Sequence, residues 1–271
     1  NIKDNQIISI VGATATGKTA AALALAEKLL ALKLAKAAHL LSADSRQVYR
    51  GLENLTGADL PTDFLTSKIG SLRYQCFTNP SENIFLHGVS IIAPNEEWSV
   101  AHFQKLFNEI KSRLTYEEIL IVVGGTGFYQ QQITHPAETI GVPQNLGLRK
   151  KLAKLSATEL QNQLKNLDQE KLKTMNHSDL NNPRRLVRAI ELALGKKQAT
   201  TTKIAALANS KIFSLELPKV VREAKIRQRV IDRFALAKKE VTEQLQNQTI
   251  SPLAASCCGF TELKALINDK I

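Results

Sequence analysis

Residues 12–19 carry the motif that most restricts how this chain can fold. They have the sequence Gly-Ala-Thr-Ala-Thr-Gly-Lys-Thr and lie between an apolar run, Ile7–Val11, and an alanine- and leucine-rich run, Ala20–Leu32. This order predicts a strand, a glycine-rich loop and a helix, in which backbone N–H groups face a phosphate. The lysine adds a positive charge, and the hydroxyl group after it can ligate Mg²⁺. The predicted di- or triphosphate site comprises Gly12, Ala13, Thr14, Ala15, Thr16, Gly17, Lys18 and Thr19, with Thr19 as the metal ligand.

The first 130 residues alternate between predicted strands and helices. Ala38–Ser42 predicts the second strand, Val100–Ile110 has the apolar spacing of an amphipathic helix, and Ile119–Val123 predicts a buried parallel strand. This alternation predicts a parallel sheet with helices on both faces. Ligands bind such sheets at the carboxyl ends of the strands. Here those ends are followed by the phosphate loop, by Asp44 and by Gly124–Gly127.

The pattern after about residue 135 is helical instead. We predict a short returning strand at Ile212–Leu217 and helices at Leu146–Leu155, Thr158–Leu167, Pro183–Leu194 and Ala224–Leu245. The predicted fold class is therefore α/β, a P-loop NTPase-like parallel sheet flanked by helices, with a helical insertion. We expect an α/β core at 1–135, a basic helical insertion at 136–205, and a return to the core with C-terminal helices at 206–271.

The excess positive charge lies in the second half of the chain. The net charge is +11; residues 1–130 carry 12 Lys and Arg against 12 Asp and Glu, and residues 131–271 carry 24 against 13. This asymmetry suggests a polyanionic partner, with solvated lysine-rich helices as an equal alternative. Three cysteines are too few for a disulfide framework, and no apolar run is long enough to span a bilayer. We expect a cytoplasmic protein without a membrane partner.

Two motifs at the predicted strand ends carry candidate chemistry. Asp44 begins Asp-Ser-Arg-Gln-Val-Tyr-Arg-Gly, and its carboxylate can act as a general base, hold a metal shell or cap the next helix. Gly124 begins Gly-Gly-Thr-Gly-Phe-Tyr, where glycines permit close approach of a ligand and Thr126 can hydrogen-bond a phosphate oxygen. P-loop ATPases normally place an acidic metal-binding residue at the end of such a strand. Glycine there disfavours ordinary ATP hydrolysis.

Taken in this order, the motifs resemble those of the tRNA dimethylallyltransferase family. The resemblance continues along the chain in Pro94–Phe103, Asn182–Glu191, Arg229–Arg233 and Gly259–Glu262. It implies transfer of a dimethylallyl group from dimethylallyl diphosphate to N6 of the adenosine at position 37, in the tRNA anticodon loop. It further implies Mg²⁺ as cofactor, tRNA and dimethylallyl diphosphate as partners, and a monomeric protein.

The resemblance also assigns roles to residues. Asp44 would take the proton from N6, Thr126 would steady the diphosphate, and Arg229 would clamp it, with Arg222 or Arg233 as alternatives to Arg229. The residues expected at the adenine or the tRNA are Ser45, Arg46, Gln47, Tyr49, Arg184, Arg185 and Arg188. Those at 46, 47 and 49 would line or support the adenine pocket, and those at 184, 185 and 188 would contact RNA or brace the active site. For Arg222, Arg229 and Arg233, a solvated helix face is the alternative.

The chain departs from the family pattern at three places. Thr56–Pro61 replaces a Gly-Thr-x-Lys-Pro segment, His87 stands where a His-His pair is usual, and the sequence stops at Ile271, before the family's final helix. We expect these changes to affect the tRNA grip or the handling of the prenyl donor and to leave the reaction core intact.

Other functions share parts of this pattern. An isopentenyltransferase acting on free adenine nucleotides has the same loop and mechanism; a small-molecule P-loop kinase and a non-catalytic RNA-binding protein are further alternatives. The Ser-Arg-Gln sequence after Asp44 and the basic second half favour tRNA, whereas the missing C-terminal segment favours free nucleotides.

Overall fold

Seven strands and eleven α-helices make up the described part of the chain, which in a computed structural model comprises residues 7–58, 60–68, 74–79, 82–125, 127–134, 142, 144–195, 211–247 and 249–268. The strands are β1 (Ile7–Gly12), β2 (Ala37–Ser42), β3 (Leu65–Ser67), β4 (Cys76–Asn79), β5 (Ile84–His87), β6 (Glu118–Gly124) and β7 (Lys211–Leu215). The helices are α1 (Lys18–Ala31), α2 (Glu53–Thr56), α3 (Val100–Lys111), α4 (Gly127–Thr134), α5 (Leu146–Leu152), α6 (Ala157–Leu167), α7 (Gln169–Thr174), α8 (His177–Leu180), α9 (Pro183–Gly195), α10 (Lys219–Asn247) and α11 (Phe260–Ile267), with a 3-10 turn at Ala254–Ser256.

The strands form one mixed sheet in the order β3-β4-β5-β2-β6-β1-β7. Neighbouring strands pair in parallel from β5 to β7, whereas β3 and β4 extend the sheet antiparallel at one edge. The predicted strands β1, β2, β6 and β7 are confirmed within a few residues at their ends. The antiparallel edge was not predicted, because its strands are only three or four residues long.

Helices cover both faces of the sheet. Alternate residues of β6 enter two separate cores: Leu120 packs with the α3 residues Phe103 and Leu106, and Ile121 packs in the core that contains Ala22 of α1. Helix α3 presents its apolar side to the sheet as its spacing predicts, and the Ser99 side chain caps its first turn. This double burial explains the unbroken apolar run of β6 and confirms the predicted fold class.

The sheet also buries two histidines on one face. His39 Nδ1 lies 3.0 Å from His87 Nε2, and the His39 ring stacks on Phe85 with ring centroids 4.8 Å apart. Burial, and to a smaller extent the neighbouring His39, lowers the pKa of His87 to about 3. Burial also lowers the pKa of His39, against a smaller opposing effect of Glu118. Both rings are therefore neutral at physiological pH.

The chain divides into two compact units. The first comprises Asn1–His135 and Ala206–Ile271 and contains the sheet; the second, Pro136–Ala205, contains helices α5 to α9. The second unit has its own core, built from Leu152, Leu160, Leu164, Leu186, Ala189 and Ile190. Within the described residues no helix combines the length and apolar composition that a membrane span needs.

Candidate active site

The phosphate loop follows β1 and leads into α1. Gly17 is the N-cap of α1 with a left-handed φ of 87°. The backbone carbonyl of Ala13 accepts hydrogen bonds from Thr16 Oγ1 (2.9 Å) and Lys18 Nζ (2.7 Å). The loop is thus curled by its own side chains. The N–H groups of the first turn of α1, which have no acceptor within the helix, follow it directly and suit an anion.

The end of β6 approaches both the phosphate loop and the end of β2. A Cβ atom on Gly124 would lie 2.5 Å from the Ala43 carbonyl oxygen, and one on Gly125 would lie 3.8 Å from Lys18 Nζ. At Gly124 itself, the missing side chain leaves room for the Ala43 backbone, which precedes Asp44. The expectation that the glycines of this motif permit close approach of a ligand stays a prediction.

Asp44 lies half-buried just beyond the end of β2. Its Oδ1 accepts the backbone N–H of Arg46 at 2.8 Å, and no salt bridge joins it to another described residue. The backbone N–H of Ala43 donates to the Val123 carbonyl at 2.7 Å, which fixes this strand end against β6. The carboxylate is therefore held by its own turn and keeps an oxygen for other chemistry.

The charges of Asp44 and Arg229 both act on the pKa of Lys18. Burial lowers its pKa most, the Asp44 carboxylate raises it, and the Arg229 guanidinium lowers it. Arg229 belongs to α10, about 210 residues after Lys18 in the sequence. The fold therefore brings the phosphate-loop lysine, the predicted base and the predicted clamp to one end of the sheet. Among the three candidate clamps, Arg229 is the arginine whose charge acts on the pKa of Lys18.

The carbonyl oxygen of Gly57 joins two of the predicted site residues. It accepts hydrogen bonds from Arg229 Nη2 (2.6 Å) and from Gln47 Nε2 (2.9 Å). Gln47 Oε1 in turn accepts the hydroxyl of Ser42 at 2.8 Å. Gly57 ends α2 with a left-handed φ of 68°, and a Cβ there would overlap the guanidinium of Arg229. Gly57, which lies in the altered segment Thr56–Pro61, thus connects Gln47 and Arg229 through its carbonyl oxygen.

The remaining residues of the Asp44 motif lie at different depths. Ser45 is half-buried, and Arg46 donates through Nη1 to the Leu253 carbonyl at 2.6 Å. Tyr49 has no exposed surface and belongs to the core. Of the two roles expected for Tyr49, lining a pocket or supporting it, its position fits only support. Burial also raises the pKa of the Cys257 thiol, which lies near Arg46, to about 11, so this thiol stays neutral.

The three arginines predicted in the second unit differ in their surroundings. Arg184 is exposed and Arg185 pairs with Asp179. Arg188 donates to the Glu191 carboxylate at 3.1 Å and to the Val142 carbonyl at 2.9 Å. The Glu191 side chain is only 1% exposed. Arg188 therefore makes hydrogen bonds within its own unit, and its expected contact with RNA or with the active site stays a prediction.

One predicted residue, Thr126, lies outside the described residues. Sequence reasoning missed Glu240 and Gln244, which lie near the C-terminal end of α10 and hydrogen-bond the backbone of residues 51–55. From the sequence, both residues would be predicted only to lie on the polar side of an amphipathic helix. Their partners lie more than 180 residues earlier in the chain.

Fold and site together define a phosphate-loop α/β protein with a carboxylate and an arginine beside the loop. Residues 77–271 match the model of the IPP transferase family. The tRNA dimethylallyltransferase 2 of Treponema denticola is 34% identical over 260 residues, which cover 92% of this chain and 76% of that protein. The tRNA dimethylallyltransferase of Treponema pallidum (strain Nichols) is 33% identical over 83% of this chain and 65% of that protein. The chain belongs to the IPP transferase family, a family of prenyltransferase enzymes.

Solved structures agree on the fold. The tRNA isopentenylpyrophosphate transferase of Bacillus halodurans matches all of this chain and 79% of its own, with a TM-score of 0.58 and 23% identity. The corresponding transferase of Staphylococcus epidermidis matches 98% of this chain and 81% of its own, with a TM-score of 0.56 and 22% identity. The predicted family and fold class are both confirmed.

Proposed function

We propose that this protein transfers a dimethylallyl group from dimethylallyl diphosphate to N6 of the adenosine at position 37 of tRNA and releases diphosphate. The main support is the placement of Arg229, whose guanidinium shares the Gly57 carbonyl with Gln47 of the Asp44 turn. The charges of Arg229 and Asp44 also act on Lys18 of the phosphate loop. Two cations beside the loop suit a leaving diphosphate, and a carboxylate among them suits an acceptor that must lose a proton. The curated relatives, which are tRNA dimethylallyltransferases, support the same reaction.

The reaction needs one bond made, one bond broken and one proton removed. The N6 amine attacks the allylic carbon that bears the diphosphate, the bond from that carbon to oxygen breaks, and the electron pair leaves with diphosphate. Lys18 and Arg229 offset the charge that grows on the leaving group, because donors placed where charge develops favour the transition state. Asp44 accepts the proton that N6 releases. Thr126, two residues after the end of β6 in the sequence, would steady the diphosphate.

The residues present fit a bound Mg²⁺. Thr19 supplies a half-buried hydroxyl directly after Lys18, and the described residues contain no group of three His, Cys, Asp or Glu side chains that could enclose a metal. Mg²⁺ is typically bound by one or two protein oxygens together with water and phosphate oxygens. Bound there by Thr19, it would neutralise part of the diphosphate charge.

The acceptor would be held by the basic helices of the second unit. Exposed cations lie on helices α5, α6 and α9 and in the turn after α5: Lys150, Lys151, Lys154, Lys165 and Arg184. Phosphate contacts of this kind bind RNA in a salt-dependent manner, and an anticodon-loop adenine must leave its stack to react. We propose that the reaction takes place in the cytoplasm. Arg46 and Gln47 would lie next to the adenine.

A parallel transfer assay tests the proposal. Labelled dimethylallyl diphosphate and Mg²⁺ are supplied with unmodified tRNA in one reaction and with AMP in another. Label in tRNA alone supports the proposal. Label in AMP would instead show an enzyme of free nucleotides, and label in neither would refute prenyl transfer to either acceptor.

A further inference from the structure

The Glu240 carboxylate of helix α10 accepts three hydrogen bonds from the segment 51–57, which contains α2. Glu240 Oε1 accepts the backbone N–H of Asn54 (2.9 Å) and its side-chain amide (2.7 Å), and Glu240 Oε2 accepts the backbone N–H of Leu55 (3.0 Å). Three donors on one carboxylate form a strong, directional anchor. Gln244, one turn further along α10, adds a longer hydrogen bond to the Gly51 carbonyl at 3.4 Å.

The other end of the segment 51–57 meets the active site. Its last residue, Gly57, offers the carbonyl that accepts both Arg229 Nη2 and Gln47 Nε2. Through these two hydrogen bonds, Gly57 links the arginine beside Lys18 to the turn that carries Asp44. A shift of Gly57 would therefore displace groups on both the diphosphate side and the base side of the site.

Glu240 and Arg229 hold the same segment from one helix. They are eleven residues apart on α10, which corresponds to about three turns and roughly 16 Å along the helix axis. Glu240 binds the N-terminal end of α2, and Arg229 binds the residue that ends it. Glu240 and Arg229 thus hold the segment 51–57 at both ends of α2, and the charge of Arg229 acts on Lys18 of the phosphate loop.

We propose that Glu240 is a positioning residue for prenyl transfer, acting through the segment 51–57 on Arg229 and Gln47. The inference rests on the proposed function, since it assigns Arg229 and Gln47 to that reaction. Without the carboxylate, Asn54 and Leu55 lose their acceptors and Gly57 loses its fixed place. Arg229 then points at the leaving group less accurately. Misplacement by about 1 Å can cost on the order of 100-fold in rate.

The test compares Glu240→Ala and Glu240→Gln with Glu243→Gln. Glu243 lies on the same helix, is exposed and faces Lys239 at 3.9 Å, so its variant controls for loss of a charge on α10. We expect kcat for transfer to tRNA to fall by roughly 10- to 100-fold in Glu240→Ala and by less in Glu240→Gln, which keeps one acceptor oxygen. Glu243→Gln should stay within about twofold of the wild type. All are measured well below the melting temperature.

A double variant separates positioning from simple stabilisation. If Glu240 acts through Arg229, the loss in Arg229→Ala/Glu240→Ala is close to the loss in Arg229→Ala alone, because coupled residues are not additive. A lowered melting temperature with wild-type kcat in Glu240→Ala would overturn the inference. Fully additive losses in the double variant, or wild-type kcat in Arg229→Ala, would overturn it too.

Binding of inorganic diphosphate, measured by calorimetry, distinguishes a failure of the Glu240 positioning role from a failure of the proposed function. The inference predicts several-fold weaker diphosphate binding in Glu240→Ala and unchanged binding in Glu243→Gln, whichever acceptor the enzyme uses. If the wild type prenylates no tRNA, the proposed function is refuted, but diphosphate binding in wild type and Glu240→Ala can still be compared. Equal diphosphate affinity in wild type and Glu240→Ala would refute the positioning role.

Discussion

The buried pair of His39 and His87 should make the first unit sensitive to mild acid. In the unfolded chain His87 has an ordinary pKa of about 6.5, whereas in the fold its pKa is about 3. Between these values the unfolded chain binds more protons, so stability is complete above about pH 6.5 and falls as the pH decreases toward 3.

The size of the effect follows from these two pKa values. At pH 5 about 97% of unfolded His87 and about 1% of folded His87 carry the proton, which corresponds to a loss of about 2 kcal/mol. His39 adds to the loss, since burial lowers its pKa as well. For a unit of this size, 2 kcal/mol lowers the melting temperature by about 4–8 °C.

The fluorescence of Trp98 provides the assay. It is the only tryptophan of the chain, is 4% exposed and lies in the first unit. The His87→Gln variant cannot titrate at this position, so its stability should fall about 2 kcal/mol less than that of the wild type between pH 7 and pH 5. His177→Gln, at an exposed position of α8, should keep the wild-type profile. Parallel profiles for the wild type and His87→Gln would refute the reasoning.

Three further predictions concern the active site and the acceptor. Asp44→Ala should keep diphosphate binding and lose at least about 100-fold in turnover, as expected for a general base; near-normal turnover in steady-state kinetics would remove Asp44 from the mechanism. Gly124→Ala should lose about 1–3 kcal/mol, because its Cβ would overlap Ala43; an unchanged urea midpoint would contradict that packing. Affinity for tRNA should fall steeply with salt in filter-binding titrations, and a flat response would argue against phosphate contacts.

The parts of this protein that the sequence predicted are those specified by neighbouring residues. The phosphate loop requires a strand before it and a helix after it, and both are visible within thirty residues of Gly12. The apolar run of β6 predicted a buried parallel strand for the same local reason. Arg229 was identified through family resemblance, because an arginine in a long polar helix has no local pattern that distinguishes it from solvated arginines.

The parts that the sequence did not predict depend on distant contacts. Glu240 meets Asn54 across 186 residues, and no periodicity encodes that pairing. The tight space at Gly124 is set by the neighbouring strand rather than by its own segment. The histidine pair resulted from the parallel register of β2 and β5, in which His39 lies opposite Phe85. Such features need the fold before they can be recognised.

Locating the modified nucleoside tests the central claim most directly. Unmodified tRNA with adenosine at position 37 is incubated with the protein, Mg²⁺ and dimethylallyl diphosphate, then digested and analysed by mass spectrometry beside a tRNA that carries guanosine there. We expect one dimethylallyl group, on N6 of that adenosine, and none in the guanosine tRNA. A dimethylallyl group at another nucleotide, or an equal yield from both tRNAs, would contradict it.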